Sequence, residues 1–591
     1  MTPRVRLLFC VCVVLLGCSR GSSQPGDPDE NPSTAGATSS GATSSGATSS
    51  GAAAGATTGG GGAAAQAGTT GASSGTNAGG AGGAAAQAGN GNAGGSGAGA
   101  SSMAPLPNDT ASGVFVHLFE WRWPDVAREC ENFLGPHGFT AVQVSPPSEH
   151  AVLSGFPWWQ RYQTVGYQLE SRSGTRAEFI DMVSRCRAVG VGIYVDAVLN
   201  HMTAQASGTG SGGTKFTKYA YPNLFTQTDF HTPVCQIMDS DYALSAEHVQ
   251  RCELVGLADL DTGSATVQAK LAGYLSDLLA IGVRGFRLDA SKHMAPPDLK
   301  AILSQVVPRA GEKPYYFLEV IDYGGEAVHA TDYLDVGGAA ELDVTEFKFK
   351  GVGDIFLGRN NSSIAALKNV SEQSWSLLAS DRAVTFINNH DTQRADADFY
   401  QDGPAHDLAT VFMLAWPYGY PSVMSSYGFN RGTAAGRDIG PPSDGGGTTR
   451  PVYAAGANEP SCVAGPYTPT TQGYICEHRA RYVAGMVGFR KATAGALVGN
   501  VWDNGANQLA FSRGDRGFVA INHEAAALSQ ALPTGLAAGK YCDVLSGDFV
   551  PAAGASNASC GGTVVEVDAS GKATLTIAPE SAIAIHVNAR L

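Results

Sequence analysis

Four short segments constrain this chain more than anything else in it. They are Asp196-Ala-Val-Leu-Asn200-His201, Gly285-Phe-Arg287-Leu-Asp289-Ala-Ser-Lys292-His293, Phe317-Leu-Glu319-Val-Ile-Asp322 and Phe386-Ile-Asn-Asn389-His390-Asp391. In each, apolar or β-branched residues stop at a carboxylate, a histidine or an arginine. Strands of a parallel barrel deliver side chains to one face in this way. Three of the ends carry an acid: Asp289, Glu319 and Asp391. Acids gathered from three strand ends are the equipment for cleaving a glycosidic bond.

The surrounding pattern agrees. Apolar runs at 114–118, 141–144, 193–198, 285–288, 316–320, 342–344, 384–387 and 423–424 read as strands. Segments 176–189, 266–279 and 297–307 have amphipathic helical spacing. Eight such units predict an α/β chain with a (β/α)8 TIM barrel. The stretch from His201 to Leu260 is rich in Gly, Ser, Thr and Tyr and holds two Cys. It is far longer than an ordinary loop, which predicts a small domain inserted after the third strand. After Arg490 come short alternating runs at 508–512, 517–522, 542–544, 563–567, 574–577 and 583–587. These predict a C-terminal antiparallel β-sandwich. The expected domains are a barrel over 113–201 and 260–495, an insert over 202–259 and a sandwich over 496–591.

The amino terminus has another character. Arg4 and Arg6 precede a short apolar run from Leu7 to Leu16, too short to span a bilayer. Its end, Leu15-Leu16-Gly17-Cys18, resembles a bacterial lipobox. That implies removal of residues 1–17, acylation of Cys18, and anchoring at the cell surface or outer membrane or release in secreted form. An ordinary signal peptide with an incidental Cys is the alternative. Residues 18–112 are Gly-, Ala-, Ser- and Thr-rich with internal repeats and almost no aromatic or branched aliphatic residue. Nothing there offsets the entropy of ordering, so a flexible tether is expected, with a mean reach of ~50 Å.

Charge and cysteine count narrow the function. The net charge of -14 excludes a phosphate-neutralising surface, and with it nucleic acid as a partner. An acidic surface is compatible with a neutral polymer. Setting aside Cys10, Cys12 and Cys18 leaves an even set: Cys130, Cys186, Cys235, Cys252, Cys462, Cys476, Cys542 and Cys560. In an exported chain this suggests disulfides, whose pairing the residues alone leave open. No Cys-x-x-Cys pair exists to hold zinc.

In order and spacing the four segments closely resemble the alpha-amylases of glycoside hydrolase family 13, above all the animal-type subgroup and its bacterial relatives. Phe119-Glu-Trp-Arg-Trp123, Trp158-Trp-Gln-Arg-Tyr162, Leu254-Val-Gly-Leu257, Val423-Met-Ser-Ser-Tyr427 and Cys476-Glu-His-Arg479 add to the resemblance. It implies endo-acting hydrolysis of α-1,4-glucosidic bonds in starch, glycogen and maltooligosaccharides by a retaining double displacement. Asp289 resembles the nucleophile, Glu319 the general acid and Asp391 the third acid, which hydrogen-bonds the sugar. Arg287 stands two residues before Asp289, on the same side of a strand, where its charge favours the ionised acid. His117, His201 and His390 resemble histidines that contact glucose. Trp158, Trp159 and Tyr162 resemble the sugar platform, Lys292 and Glu326 the leaving-side contacts, and Gln163 and His293 further substrate-binding residues.

Calcium is also implied by the resemblance, through Asn200, Asp259 and the carbonyl oxygens of Gln250 and His293. Arg251 departs from the pattern, where animal enzymes often have Asp. Arg287 and Asn389 match two positions that hold an activating chloride in the animal-type subgroup, but Ser422 replaces the third, basic one, so activity without chloride is expected. Segment 394–399 lacks the family's mobile Gly-rich loop. By family position the disulfides are Cys130–Cys186, Cys235–Cys252, Cys462–Cys476 and Cys542–Cys560. The expected partner is an α-glucan, with the membrane touched only through the lipid anchor and the chain a monomer. The rival readings are a transglycosylating relative, a non-catalytic surface glucan-binding protein, and an adhesin whose tether is the working part.

Overall fold

Eight short strands close into one parallel barrel. They are β1 (Phe115–Leu118), β2 (Ala141–Val144), β3 (Gly192–Val198), β4 (Gly285–Asp289), β5 (Tyr315–Leu318), β6 (Glu341–Thr345), β7 (Ala383–Thr385) and β8 (Tyr420–Ser425). The ring runs β1-β8-β7-β6-β5-β4-β3-β2, with parallel pairing throughout. The computed structural model describes residues 109–338, 341–552 and 557–591. The expected signal peptide, Cys18 and almost all of the tether lie outside the described residues.

The eight strand expectations hold, with ends shifted by two residues or more at three, β5 stopping at Leu318 rather than at 320. β7 ends at Thr385, so Phe386 to Asp391 is a connection rather than strand. β8 begins at Tyr420, because Pro421 and Ser422 interrupt the apolar pattern without interrupting the pairing. Most barrel-strand residues are buried on both faces, which is why these segments read as continuous apolar runs.

The barrel interior is layered by the two-residue period of its strands. Phe115, Tyr194, Tyr315 and Tyr420 form an aromatic floor, with ring centroids 4.8 Å apart for Phe115–Tyr420 and 5.0 Å for Tyr194–Tyr315. Tyr315 Oη donates to Asp343 at 2.7 Å. Two residues further along β3 and β4 come Asp196 and Arg287, and two beyond Arg287 comes Asp289. Gly285 opens this line because a Cβ there would lie 2.4 Å from the Tyr315 carbonyl oxygen. Any other residue would push β4 off β5 and displace the acids above.

Helices cover the outside. α1 (Trp123–Glu129) is joined to α2 (Arg176–Ala188) through Cys130–Cys186. α2 starts at a capping box of Thr175 and Glu178. α3 (Ala265–Ile281) stops at Gly282 with φ +115°. α4 (Pro296–Ser304), α5 (Pro404–Ala415) and α6 (Arg481–Ala492) follow. The insert is closed at its neck by His201–Met202 pairing antiparallel with Ala258–Asp259, and carries Cys235–Cys252. Cys462–Cys476 and Cys542–Cys560 complete the bonds, so all four pairs implied by the resemblance are present.

The C-terminal region is two antiparallel four-stranded sheets. One is β9 (Val498–Asp503), β10 (Gln508–Arg513), β11 (Gly517–Asn522) and β16 (Ser581–His586). The other runs β12 (Leu528–Pro533), β15 (Lys572–Ile577), β14 (Val564–Val567), β13 (Gly539–Cys542). Phe518 and Ile585 from one sheet and Tyr541, Val567 and Leu575 from the other share the core between them. Two strands went unforeseen, β9 and β12. Both are sheet edges with few buried residues, and so lack the alternation that marks a half-buried strand. Phe511 sets its edge on Trp416 of the barrel unit at 5.2 Å, and Arg513 donates to the carbonyls of Ala415 and Thr493.

Candidate active site

The carboxy ends of β3, β4 and β5 bring three carboxylates onto one guanidinium. Arg287 Nη1 donates to Asp196 at 2.6 Å and to Asp289 at 2.9 Å, and Nη2 meets Glu319. Arg287 and Asp196 lie opposite each other in the β3–β4 register, which makes the contact a consequence of strand pairing. Asp196 also accepts from Tyr162 Oη at 2.9 Å. It had not been singled out from the sequence, although it opens the first segment. Its signal was a carboxylate inside an apolar strand, which requires a partner.

After Asp289 the chain turns sharply. Ala290 sits at φ +48°, and its N–H donates to Glu319 Oε2 at 2.9 Å. A left-handed alanine costs about 1–2 kcal/mol, and here the strained turn aims a backbone donor at the neighbouring acid. Asp391 arrives from beyond β7 on a tight turn. Asn389 Oδ1 accepts from the N–H groups of Asp391 at 3.0 Å and Thr392 at 2.8 Å, so Asn389 shapes that turn. Asp391 Oδ2 lies 3.3 Å from His390 Nε2.

Burial, against the pull of Arg287, pushes the Asp289 carboxyl well above the usual carboxylate range. Burial and the nearby Glu319 charge push Asp391 up to about 7. Burial holds His201 down to about 4 and also lowers His117 and His390, the latter two helped by Arg287. All three imidazoles are therefore neutral at pH 7, each able to donate one hydrogen bond and accept one, which suits sugar hydroxyls.

His390 is caged by aromatic rings. Tyr162 stacks on it at 5.3 Å, Phe119 at 5.2 Å, and Trp158 and His117 meet it edge-on at 5.6 and 5.4 Å. His117 Nε2 has no hydrogen-bond partner among the described residues. Beneath this cage lies Arg394, a second residue the sequence reading missed as part of the site. Its guanidinium is 4.8 Å from the Trp158 ring and donates to the His390 carbonyl at 2.6 Å. Trp158 is buried, whereas Trp159 is half-exposed. The side-chain oxygen of Gln163 is taken by Thr203 and Ala204 of the insert. His201 Nε2 lies 3.2 Å from the Tyr162 carbonyl.

On the other flank, Lys292 Nζ donates to the Ile321 carbonyl at 2.5 Å. Glu326 Oε1 accepts from the Tyr323 N–H at 2.9 Å. Segment 394–399 is packed rather than loose: Ala397 and Phe399 are buried, and Arg431 covers the Phe399 ring at 4.1 Å.

Two further sets can be tested for ions. Asn200 and Asp259 stand at the neck of the insert, where the Leu260 N–H donates to the Asn200 carbonyl at 3.0 Å, and among the described residues the buried Oδ1 atom of each has no hydrogen-bond partner. Two such oxygens fit a hard cation, with the Gln250 and His293 carbonyls and water completing the usual six to eight oxygens, while the other Asp259 oxygen lies 2.6 Å from His231 Nδ1. His293 Nδ1 donates to the Val249 carbonyl at 2.9 Å, tying the barrel to the helix that ends at Arg251. The Arg251 side chain is exposed, where solvent screens its charge. Arg287, Asn389 and Ser422 line one small cavity. Among the described residues the only cation on its wall is Arg287, already bound to three carboxylates.

Comparison with known proteins gives the same picture. Residues 137–424 match the model of the alpha amylase catalytic domain, and residues 500–588 that of the alpha amylase C-terminal all-beta domain. The chain is 42% identical to rat pancreatic alpha-amylase over 513 residues, 82% of this chain and 96% of the relative. It is 43% identical to an alpha-amylase-related protein of Drosophila ananassae over 496 residues, 80% and 94% of the two. Wild-type alpha-amylase I of Eisenia fetida superposes with a TM-score of 0.72 at 40% identity, covering 80% of this chain and 97% of that one. A Glu-to-Gln mutant of the same enzyme, in complex with maltohexaose, matches equally well.

Proposed function

This chain belongs to the alpha-amylase family, and on that premise we propose that it hydrolyses α-1,4-glucosidic bonds of starch, glycogen and maltooligosaccharides through Asp289, Glu319 and Asp391. The observation that carries the assignment is the convergence of Asp289, Glu319 and Asp196 on Arg287 at the carboxy ends of adjacent barrel strands. Asp289 attacks the sugar C1 while Glu319 protonates the departing oxygen, which leaves a glycosyl ester on Asp289. Glu319 then takes a proton from water as that water attacks C1 and frees Asp289, so the α configuration is retained. Arg287 favours the charged form of Asp289 against the penalty of burial. Asp391 and the neutral histidines 117, 201 and 390 hydrogen-bond the sugar, and Trp158, Trp159 and Tyr162 give it an apolar wall. Lys292 and Glu326 face the leaving side, with Gln163 and His293 bracing the insert against the cleft.

Calcium would be held by Asn200, Asp259 and the carbonyls of Gln250 and His293, and would supply structural cross-linking of insert and barrel rather than a step of the chemistry. Chloride is not needed: an anion beside Arg287 would enter a cavity whose single cation is outnumbered by carboxylates. The expected result is reducing-sugar release from soluble starch in chloride-free calcium buffer, changed less than about twofold by added chloride, since no ligand charge is left for the anion to balance. Chelation should lower the melting temperature, as the loss of any ligand specific to the native state does. Strong chloride activation would overturn the reading of Ser422. An unchanged melting temperature would remove calcium.

The four disulfides support export. We place the signal at 1–17, a Cys18 lipid anchor, the tether at 18–112, the barrel at 113–201 and 260–495, the insert at 202–259 and the sandwich at 496–591. Labelling with radioactive palmitate should mark the expressed chain and spare Cys18→Ser. Equal labelling of both would move the anchor elsewhere.

A further inference from the structure

Arg394 is a buried guanidinium to which the mechanism above gives no task. Its Nη1 donates to the His390 carbonyl at 2.6 Å, its Nε to the Arg437 carbonyl at 3.1 Å and its Nη2 to Tyr427 Oη at 2.9 Å. Among the described residues none of these acceptors is a carboxylate. Four rings surround the charge instead: Phe429 at 4.5 Å, Trp158 at 4.8 Å, Phe119 at 5.2 Å and Tyr427 at 5.4 Å. Ring faces and carbonyl dipoles together offset the loss of water around a buried cation. An apolar side chain would fill the same nest without that penalty, so the charge and the planar fork have a use.

What Arg394 holds shows the use. Its backbone N–H donates to the Asp391 carbonyl at 3.0 Å, inside the short turn Thr392–Arg394. With Nη1 on the His390 carbonyl, one residue grips the peptide units on both sides of Asp391. Its Nε shares the Arg437 carbonyl with Trp158 Nε1, which donates to the same oxygen at 3.0 Å. Tyr427 accepts from Nη2, donates to the Ile439 carbonyl at 2.8 Å and stacks on Phe119 at 5.8 Å and 7°. The connections after β1, β2, β7 and β8 therefore meet on this side chain. Its charge also reaches Asp391. Glu319 and Asp196 favour the neutral form of that acid, Arg287 and Arg394 favour the ionised form, and His390 and Tyr162 face it as well.

We propose that Arg394 is a positioning residue for the glycosidase reaction: from beneath, its fork and its charge set Asp391, His390 and Trp158 in one arrangement that fits the distorted sugar. Arg394 itself touches no sugar. The inference rests on the reading of Asp391 and Trp158 as sugar contacts.

The test follows maltoheptaose hydrolysis from pH 5 to 9 by the wild-type enzyme, Arg394→Lys and Arg394→Met, with the folded fraction of each measured alongside. Lysine keeps a cation among the rings and loses the fork. Methionine keeps the volume and loses both. Arg394→Lys should lose about tenfold in kcat/KM, the scale of one hydrogen bond to a charged group, and keep the wild-type pH profile. Arg394→Met should lose roughly 10²-fold, the effect of a misplacement of about 1 Å. Most of that loss should fall on kcat, because the contacts of Asp391 strengthen in the transition state. The limb of its profile near pH 7 should move upward, since removing a cation favours the protonated acid.

Wild-type kinetics in a folded Arg394→Lys would overturn the proposal, and this variant decides alone if Arg394→Met does not fold. An unshifted limb in Arg394→Met, with activity falling only in step with the folded fraction, would overturn it too, because that marks an arginine that merely holds the fold. A wild-type enzyme that did not cleave maltoheptaose would remove the amylase reading itself, and this inference with it.

Discussion

Asp289→Asn is expected to end starch hydrolysis, lowering kcat by at least ~10⁴-fold, the scale seen when a nucleophile acting with partners is removed. The substitution keeps the shape of the side chain, and Asn Oδ1 can still accept from Arg287 Nη1, now 2.9 Å from Asp289 Oδ1. The barrel should therefore stay folded, with an unchanged far-ultraviolet spectrum. Glu319→Gln removes a proton rather than a nucleophile. It should cost about 10²–10⁴-fold on starch and much less on a nitrophenyl glycoside, whose leaving group departs without protonation. It should still bind maltohexaose by calorimetry, because the substitution leaves the sugar contacts in place. More than about one per cent of wild-type kcat in Asp289→Asn, against the ~10⁴-fold loss expected, would place the nucleophile elsewhere.

Arg287→Met should be among the most destabilising single changes in the barrel, at about 3–5 kcal/mol near neutral pH. Among the described residues the guanidinium is the only cation paired with Asp196 and Asp289, both buried, and it also meets Glu319. Methionine fills the volume and leaves the carboxylates unpaired. The sign with pH follows from proton binding. Acids whose native pKa is raised bind more protons folded than unfolded, so stability falls as pH rises through the native value. The Arg287→Met deficit should be small near pH 4 and full at pH 7. Asp391→Asn should act in the opposite direction. Asp391 is raised from 3.8 to about 7 by burial and by Glu319, so its contribution is most favourable at low pH and is lost across that window. The amide carries no such loss. Its gain over wild type should grow with pH to roughly 1–2 kcal/mol, reduced because a third of the side chain reaches solvent. Chemical denaturation at three pH values measures both. An Arg287→Met deficit that did not change with pH would mean that the arginine holds the barrel by packing alone, and a flat Asp391→Asn curve would mean that Asp391 is ionised without penalty.

Most of the catalytic constellation was legible in the chain before any coordinates. Asp289, Glu319 and Asp391 stand at or just beyond strand ends, and the two-residue period that makes a strand also sends Arg287 and Asp289 to one side. The barrel was legible for a related reason: strands buried on both faces leave unbroken apolar runs. Edge strands β9 and β12 left no such mark, since exposure removes the pressure on composition.

What the tertiary structure alone decided lies in contacts between strands and loops remote in sequence. Asp196 became a partner of Arg287 through the β3–β4 register, which no local pattern encodes. Arg394 came to rest under Trp158 and His390 because a connection after β7 folds back beneath a loop after β2. Asn389 holds the turn of Asp391 through its side-chain oxygen, a contact set by how the connection after β7 folds. The residue types and their spacing along each strand are properties of the chain. Which charges end up sharing one guanidinium is a property of the closed barrel, because burial makes every such pairing depend on all the strands at once.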